Sequence, residues 1–260
     1  MKFVVVAALL ISTQAFAQGR GPVRPKPKKV EIGKIDTKKN LMGDKGNIYK
    51  IPGGAGLYGG DAVVCRNRYG KILKASLLDY SESDIYFPGF TPKIDTRSSF
   101  MTAANNLGYL LEKTSFDTFI SFRREYKKLL EKFESPNYSM IESGPVIFVK
   151  NLDLINVQDA YHYDLQTNVR NCKVEQVVIR QKKFAGVSYY VQADIFKKLP
   201  KSHQRGLAIH EAIYHSFNMY YGDTTSERTR FFNRCISNFP HNTLTISKAD
   251  RCLKQAFVRY

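Results

Sequence analysis

SHQRGLAIHEAIYHSFNMYYG, residues 202–222, is the stretch on which the reading of this chain turns. Leu207, Ile209, Ile213, Tyr214, Phe217, Tyr220 and Tyr221 recur at the spacing of an α-helix with one broad apolar face. Ser202 is placed to cap its start, and Gly222 to stop it. His210 falls near the middle of the apolar face, where a histidine is most simply a buried, hydrogen-bonded core residue.

The segments on either side set the fold class. Downstream, Thr224-Thr-Ser-Glu227 has the form of a capping box for a helix running to about Ser237, and Ser247 with Asp250 has the form of another for a C-terminal helix. Upstream, Asp194 is placed to cap a short helix that Pro200 ends. Val174–Arg180 and Val187–Gln192 read as a hairpin around Lys182–Gly186, and Val146–Val149 reads as a buried strand. Two helices are expected before that, over Ser98–Glu112 and Phe116–Glu134. The second carries Phe116, Phe119, Tyr126, Leu130 and Phe133 on one stripe. Ala62–Cys65 and Ile72–Leu78 form a further hairpin turned at Asn67–Gly70. Strands come early and helices late, without βαβ alternation, which predicts an α+β fold of short antiparallel hairpins packed with several helices. A single domain is expected over residues 51–260.

The N-terminal fifth reads differently. Residues 1–17 have the form of a cleavable signal peptide: Lys2, an apolar run from Phe3 to Ile11, and a small-residue site at Ala15–Ala17. That run is shorter than the roughly 20 residues a membrane span requires. An exported protein, periplasmic or secreted, is expected. Residues 18–50 hold Pro22, Pro25 and Pro27, many Lys and Arg, and few large apolar residues, the composition of a basic flexible arm. Gly54, Gly56 and Gly59 match a dinucleotide fingerprint letter for letter, but they precede a strand where the fingerprint must follow one.

The formal net charge of +17 favours acidic partners. With export, these are acidic cell-envelope polymers or lipids met through the basic arm, and no nucleic acid. Export also makes disulfides the expected state of the four cysteines, Cys65, Cys172, Cys235 and Cys252. Three pairings are possible. Cys235–Cys252 is preferred because it joins two neighbouring helices, and it leaves Cys65–Cys172.

Only His210-Glu211-Ala-Ile-Tyr-His215 carries chemistry. A helical His-Glu-x-x-His sets two imidazoles on one face to bind zinc, with the Glu positioned to take a proton from zinc-bound water. Here the second histidine comes one residue late. An i to i+5 step on a regular helix turns through about 140° from its start, so His210 and His215 point apart unless a π-bulge intervenes. Glu211 and His215 are the i, i+4 pair. The motif resembles that of the dipeptidyl peptidase III zinc peptidases, which implies His210 and His215 as zinc ligands, Glu211 as the base, and a downstream glutamate as third ligand. Glu227 is the nearest candidate, and the capping box competes for it.

A zincin-like, metal-dependent hydrolase, most plausibly a peptidase, is therefore the leading expectation. Its alternative is a non-catalytic envelope protein with a basic surface, in which His210 and Glu211 are a buried structural pair. Asp79, Glu82 and Asp84 form an acidic cluster expected at a solvated strand end. His162, His203 and His241 stand in polar, exposed contexts.

Gly59–Cys65, Leu77–Glu82, Cys172–Val178 and Leu207–Tyr214 together resemble a family of exported Gram-negative bacterial proteins without an established activity. The resemblance implies a shared single domain, and it puts more weight on His210-Glu211 than on His215.

Overall fold

The computed structural model describes residues 59–81, 91–94, 96–138, 145–149, 171–183, 186–240 and 242–259. The expected signal peptide, basic arm, and Gly54 and Gly56 lie outside them, as do Glu82, Asp84, His162 and His241.

Strands β1 (Asp61–Arg66) and β2 (Ile72–Leu77) form the expected hairpin. The Asn67 side chain ties the turn together by accepting from the backbone N–H groups of Tyr69 and Lys71. Gly70 takes a φ of 79°, which glycine adopts without steric cost. A third strand, β4 (Cys172–Gln176), pairs antiparallel on the other edge of β1, so the sheet order is β2-β1-β4. Cys65 and Cys172 are direct cross-strand partners and are joined by a disulfide.

The second sheet has the order β3-β6-β5, from β3 (Val146–Val149), β5 (Val178–Lys183) and β6 (Gly186–Gln192). The expected second hairpin forms between β5 and β6, but its first arm begins at Val178: Val174–Gln176 belongs to the first sheet, and the run changes sheets at Val177. That buried residue belongs to neither ladder; it donates to the Gly60 carbonyl and accepts from the N–H of Gln192. The sheet is also mixed, since β3 runs parallel to β6. A continuous apolar stretch cannot reveal which sheet each of its residues joins.

Seven helices complete the described α+β fold: α1 (Phe100–Thr114), α2 (Phe116–Phe119), α3 (Phe122–Glu134), α4 (Ala193–Phe196), α5 (Lys201–Tyr221), α6 (Glu227–Ser237) and α7 (Ile246–Arg259). The helix expected over 116–134 breaks at Ile120-Ser121. The break leaves Phe116 exposed while Phe119, Phe122, Tyr126, Leu130 and Phe133 enter the core. Four caps also differ from the expected ones, the first being Gln192 rather than Asp194 before α4. Pro200 rather than Ser202 precedes α5, and Ser226 rather than Thr224 precedes α6. Before α7 the Thr245 hydroxyl accepts from the N–H of Lys248. Gly222 does end α5, at a φ of 70°. A second disulfide, Cys235–Cys252, joins α6 to α7.

The organising element is α5. From Gln204 to Phe217 it is buried on every side, packed against α3 and α6. Phe217 meets Phe119 and Phe232 at ring separations of 6.0 and 5.7 Å, a contact set that locks α5 to α2 and α6. Because α5 has no solvent face over four turns, its polar residues must find partners inside the protein. Among the described residues, no helix is long and apolar enough to cross a membrane.

Candidate active site around His210 and Glu211

His210 and Glu211 are both fully buried, and they face different neighbours. Directly after β2 the chain makes a helical turn over residues 78–81, which carries Asp79 inward between the buried Leu78 and Tyr80. Asp79 Oδ2 lies 2.8 Å from His210 Nδ1. The same oxygen accepts from Asn233 Nδ2 on α6 at 2.6 Å, and that amide also donates to the Gly206 carbonyl at 3.0 Å. Ser237 donates to Asn233 Oδ1 and shares a hydrogen bond with the Tyr80 hydroxyl. One polar chain therefore ties the first sheet to α5 and α6.

Burial disfavours a charged His210, but the adjacent Asp79 carboxylate outweighs it and holds the imidazole up at about 9. His210 is thus imidazolium at neutral pH. Since Asp79 occupies Nδ1, the remaining ring nitrogen, Nε2, is left buried without a hydrogen-bond partner.

Glu211 is fixed from the opposite end of the fold. Its Oε1 accepts the Gly60 N–H at 2.5 Å, while Oε2 is buried and unpartnered. Burial pushes this carboxyl up to about 7, against the opposing pull of His210. Gly60 approaches as only glycine can: an added Cβ would run into Leu207 Cδ1, sit 3.2 Å from Glu211 Oε1, and come within 3.7 Å of His210 Cδ2. The Cδ2 edge of His210, which carries Nε2, and the Glu211 carboxylate thus converge on one backbone position.

His215 does not join them. Residues 201–221 are α-helical throughout, with no π-bulge, so the i+5 step carries His215 away. It sits with Glu211 and Asn218 on the face of α5 turned toward β5. There Arg180 Nη2 donates to Asn218 Oδ1 at 2.8 Å, and the guanidinium lies over the Tyr214 ring. Tyr189, opposite Arg180 in the β5–β6 ladder, donates to Glu125 Oε2, which also takes a hydrogen bond from Lys128. Burial drives the His215 imidazole down to about 4, so it is neutral. Glu227, the expected third ligand, is the first residue of α6. Among the described residues, no group of three or more His, Cys, Asp or Glu side chains is arranged to hold a metal ion. The expected set His210, His215 and Glu227 is not assembled.

No protein-family model, curated protein or solved structure matches the chain. What the site can do has to be read from its own chemistry.

Two expectations based on exposure also change. Asp79, assigned to a solvated strand end, is fully buried at the centre. His203 is partly buried, accepts the Leu77 N–H through Nδ1, and is pushed down to about 4 by burial. Gly60, Asn233 and Arg180 carried no signal for a site. For Asp79 the signal was there: an acid set among Leu77, Leu78 and Tyr80 occupies an apolar segment that solvent does not reach.

Proposed function

We propose that the chain is an exported, metal-dependent hydrolase, with peptides as its first substrate class, whose reacting centre is the His210–Glu211 pair. The observation that carries this reading is the division of labour on His210. Asp79 occupies Nδ1, Nε2 is left without a hydrogen-bond partner, and so is Oε2 of the next residue, Glu211. Metal-binding histidines are held in this way, with a carboxylate on one ring nitrogen fixing the tautomer and orientation of the other. In this role His210 gives up to the metal the Nε2 proton that it carries at neutral pH, leaving Nε2 as the ligand and Nδ1–H on Asp79, and Glu211, held up at about 7, takes a proton from water near neutral pH. His215 has no part in this centre, and the role of Glu227 is to start α6. Two disulfides are in keeping with an exported chain.

The test is elemental analysis of protein produced by export, with a peptide-hydrolysis assay beside it. About one equivalent of a divalent metal is expected, lost in His210→Ala and retained in Glu211→Gln, with hydrolysis lost in both. Metal-free wild-type protein whose melting does not change under a chelator would sink the reading.

The complete burial of His210 and Glu211 favours a second reading, in which the pair clamps the core and the protein binds acidic envelope polymers through its positive charge. Retention on an anionic matrix that falls steeply with salt and with deletion of residues 18–50 supports it. Salt-independent retention counts against it.

A further inference from the structure

We propose that Arg180 and His215 form a binding site for a small monocarboxylate, on the face of α5 turned toward β5. The site goes beyond the hydrolase reading and does not depend on it. Arg180 is only 5 % exposed. A guanidinium withdrawn from water needs an opposite charge or a full set of acceptors. Arg205, buried to a similar degree, has both: its Nε meets Glu134 at 2.7 Å and its Nη2 donates to the Ser98 carbonyl. Arg180 has neither in full. One nitrogen serves Asn218, a neutral amide, and Nη1 is buried with no partner. Among the described residues, no carboxylate lies within ion-pair distance of it.

His215 supplies the second half. It is 6 % exposed, and both of its ring nitrogens are buried without hydrogen bonds. Arg180 reaches this face of the helix through Asn218, one turn beyond His215, and no hydrogen bond or ion pair joins the guanidinium to the imidazole. A neutral imidazole offers one N–H, and the guanidinium offers Nη1. Two unpartnered donors on one face, with one unneutralised positive charge, suit a carboxylate group, which presents two oxygens and a single negative charge. The groups around the site set an upper limit on that charge. Glu211 and Glu125 face it along with Arg124 and Lys128, and Lys128 is already hydrogen-bonded to Glu125. A dianion would meet both glutamates, whereas a monoanion balances Arg180 alone.

Thermal melts of the full chain in acetate and in chloride, at equal ionic strength and neutral pH, test the site. A saturable rise in Tm with acetate is expected, beyond anything chloride gives. In Arg180→Gln the acetate affinity should fall by about tenfold or more, the weight of a charge-assisted hydrogen bond. Arg251→Gln, at an exposed arginine of α7, should keep it. Should Arg180→Gln fail to fold, the His215 ring-nitrogen resonances of the wild type decide, and acetate but not chloride should shift them. Equal effects of acetate and chloride, or an unchanged acetate affinity in folded Arg180→Gln, would overturn the proposal. Because binding is read without turnover, this outcome stands apart from the metal and peptidase assays.

Discussion

Asp79 Oδ2 and His210 Nδ1 lie 2.8 Å apart with both side chains fully enclosed, and the two residues come from opposite ends of the described chain. The contact joins the end of β2 to the middle of α5, and Asn233 on α6 adds its amide to the same carboxylate oxygen. The two groups are thus buried together, each as the other's hydrogen-bond partner. Their removal should therefore be strongly non-additive.

Asp79→Ala and His210→Ala should each cost roughly 3–5 kcal/mol, because each strands its partner in a low-dielectric interior. The double variant should lose much less than the sum of the two. Urea denaturation of the four proteins closes the cycle. Simple additivity would mean that the two groups do not act as a pair.

Gly206→Ala sets two effects against each other. Helix propensity favours alanine over glycine by about 1 kcal/mol in a helix interior. At Gly206 the new methyl would overlap the Tyr80 ring and hydroxyl, and overpacking a well-filled core costs about 1–3 kcal/mol. Net destabilisation is expected, seen as a lower urea midpoint at unchanged slope. A stabilised variant would show that Tyr80 can move aside.

Stability should peak near pH 6.5. His210 is raised to about 9, so its contribution is complete below the unfolded value near 6.5 and is lost as pH climbs through 9. Glu211, raised to about 7, favours its protonated form and weakens the fold between its ordinary value of 4.5 and about 7. His203 and His215 are lowered to about 4, so their contributions are present above 6.5 and vanish as pH falls through 4. Two groups lose stability on the acid side and one opposes them; above 6.5 the remaining slopes point downward. Denaturant midpoints across pH 4–9 check this profile, and replacing His210 should flatten its alkaline limb.

The two disulfides should differ in weight. Cys65–Cys172 closes a separation of 107 residues and Cys235–Cys252 one of 17. Chain-entropy reasoning gives about 4.7 kcal/mol for a loop near 100 residues and about 3 kcal/mol for one near 15. Cys65→Ser with Cys172→Ser should therefore lower the urea midpoint more than Cys235→Ser with Cys252→Ser.

Local pattern alone determined a good part of this protein. The period of Leu207, Ile209, Ile213 and Phe217, with Gly222 behind them, fixed the central helix. Val63, Val64 and the Asn67–Gly70 turn fixed the first hairpin, and the four cysteines pointed to the two disulfides that form. These features depend on residues close in sequence or on a short list of pairings. The sheet change at Val177 and the helix break at Ile120-Ser121 were invisible, because neither interrupts the apolar pattern. The site divided along the same line. His210-Glu211 stood out as a motif, and its spacing already argued that His215 points elsewhere. Which groups meet it was a matter for the tertiary structure alone: Asp79 lies 131 residues from His210, and Gly60 lies 151 from Glu211. Partners at that distance are chosen by how helices and sheets pack, and packing placed a carboxylate that reads as solvent-facing at the centre of the core.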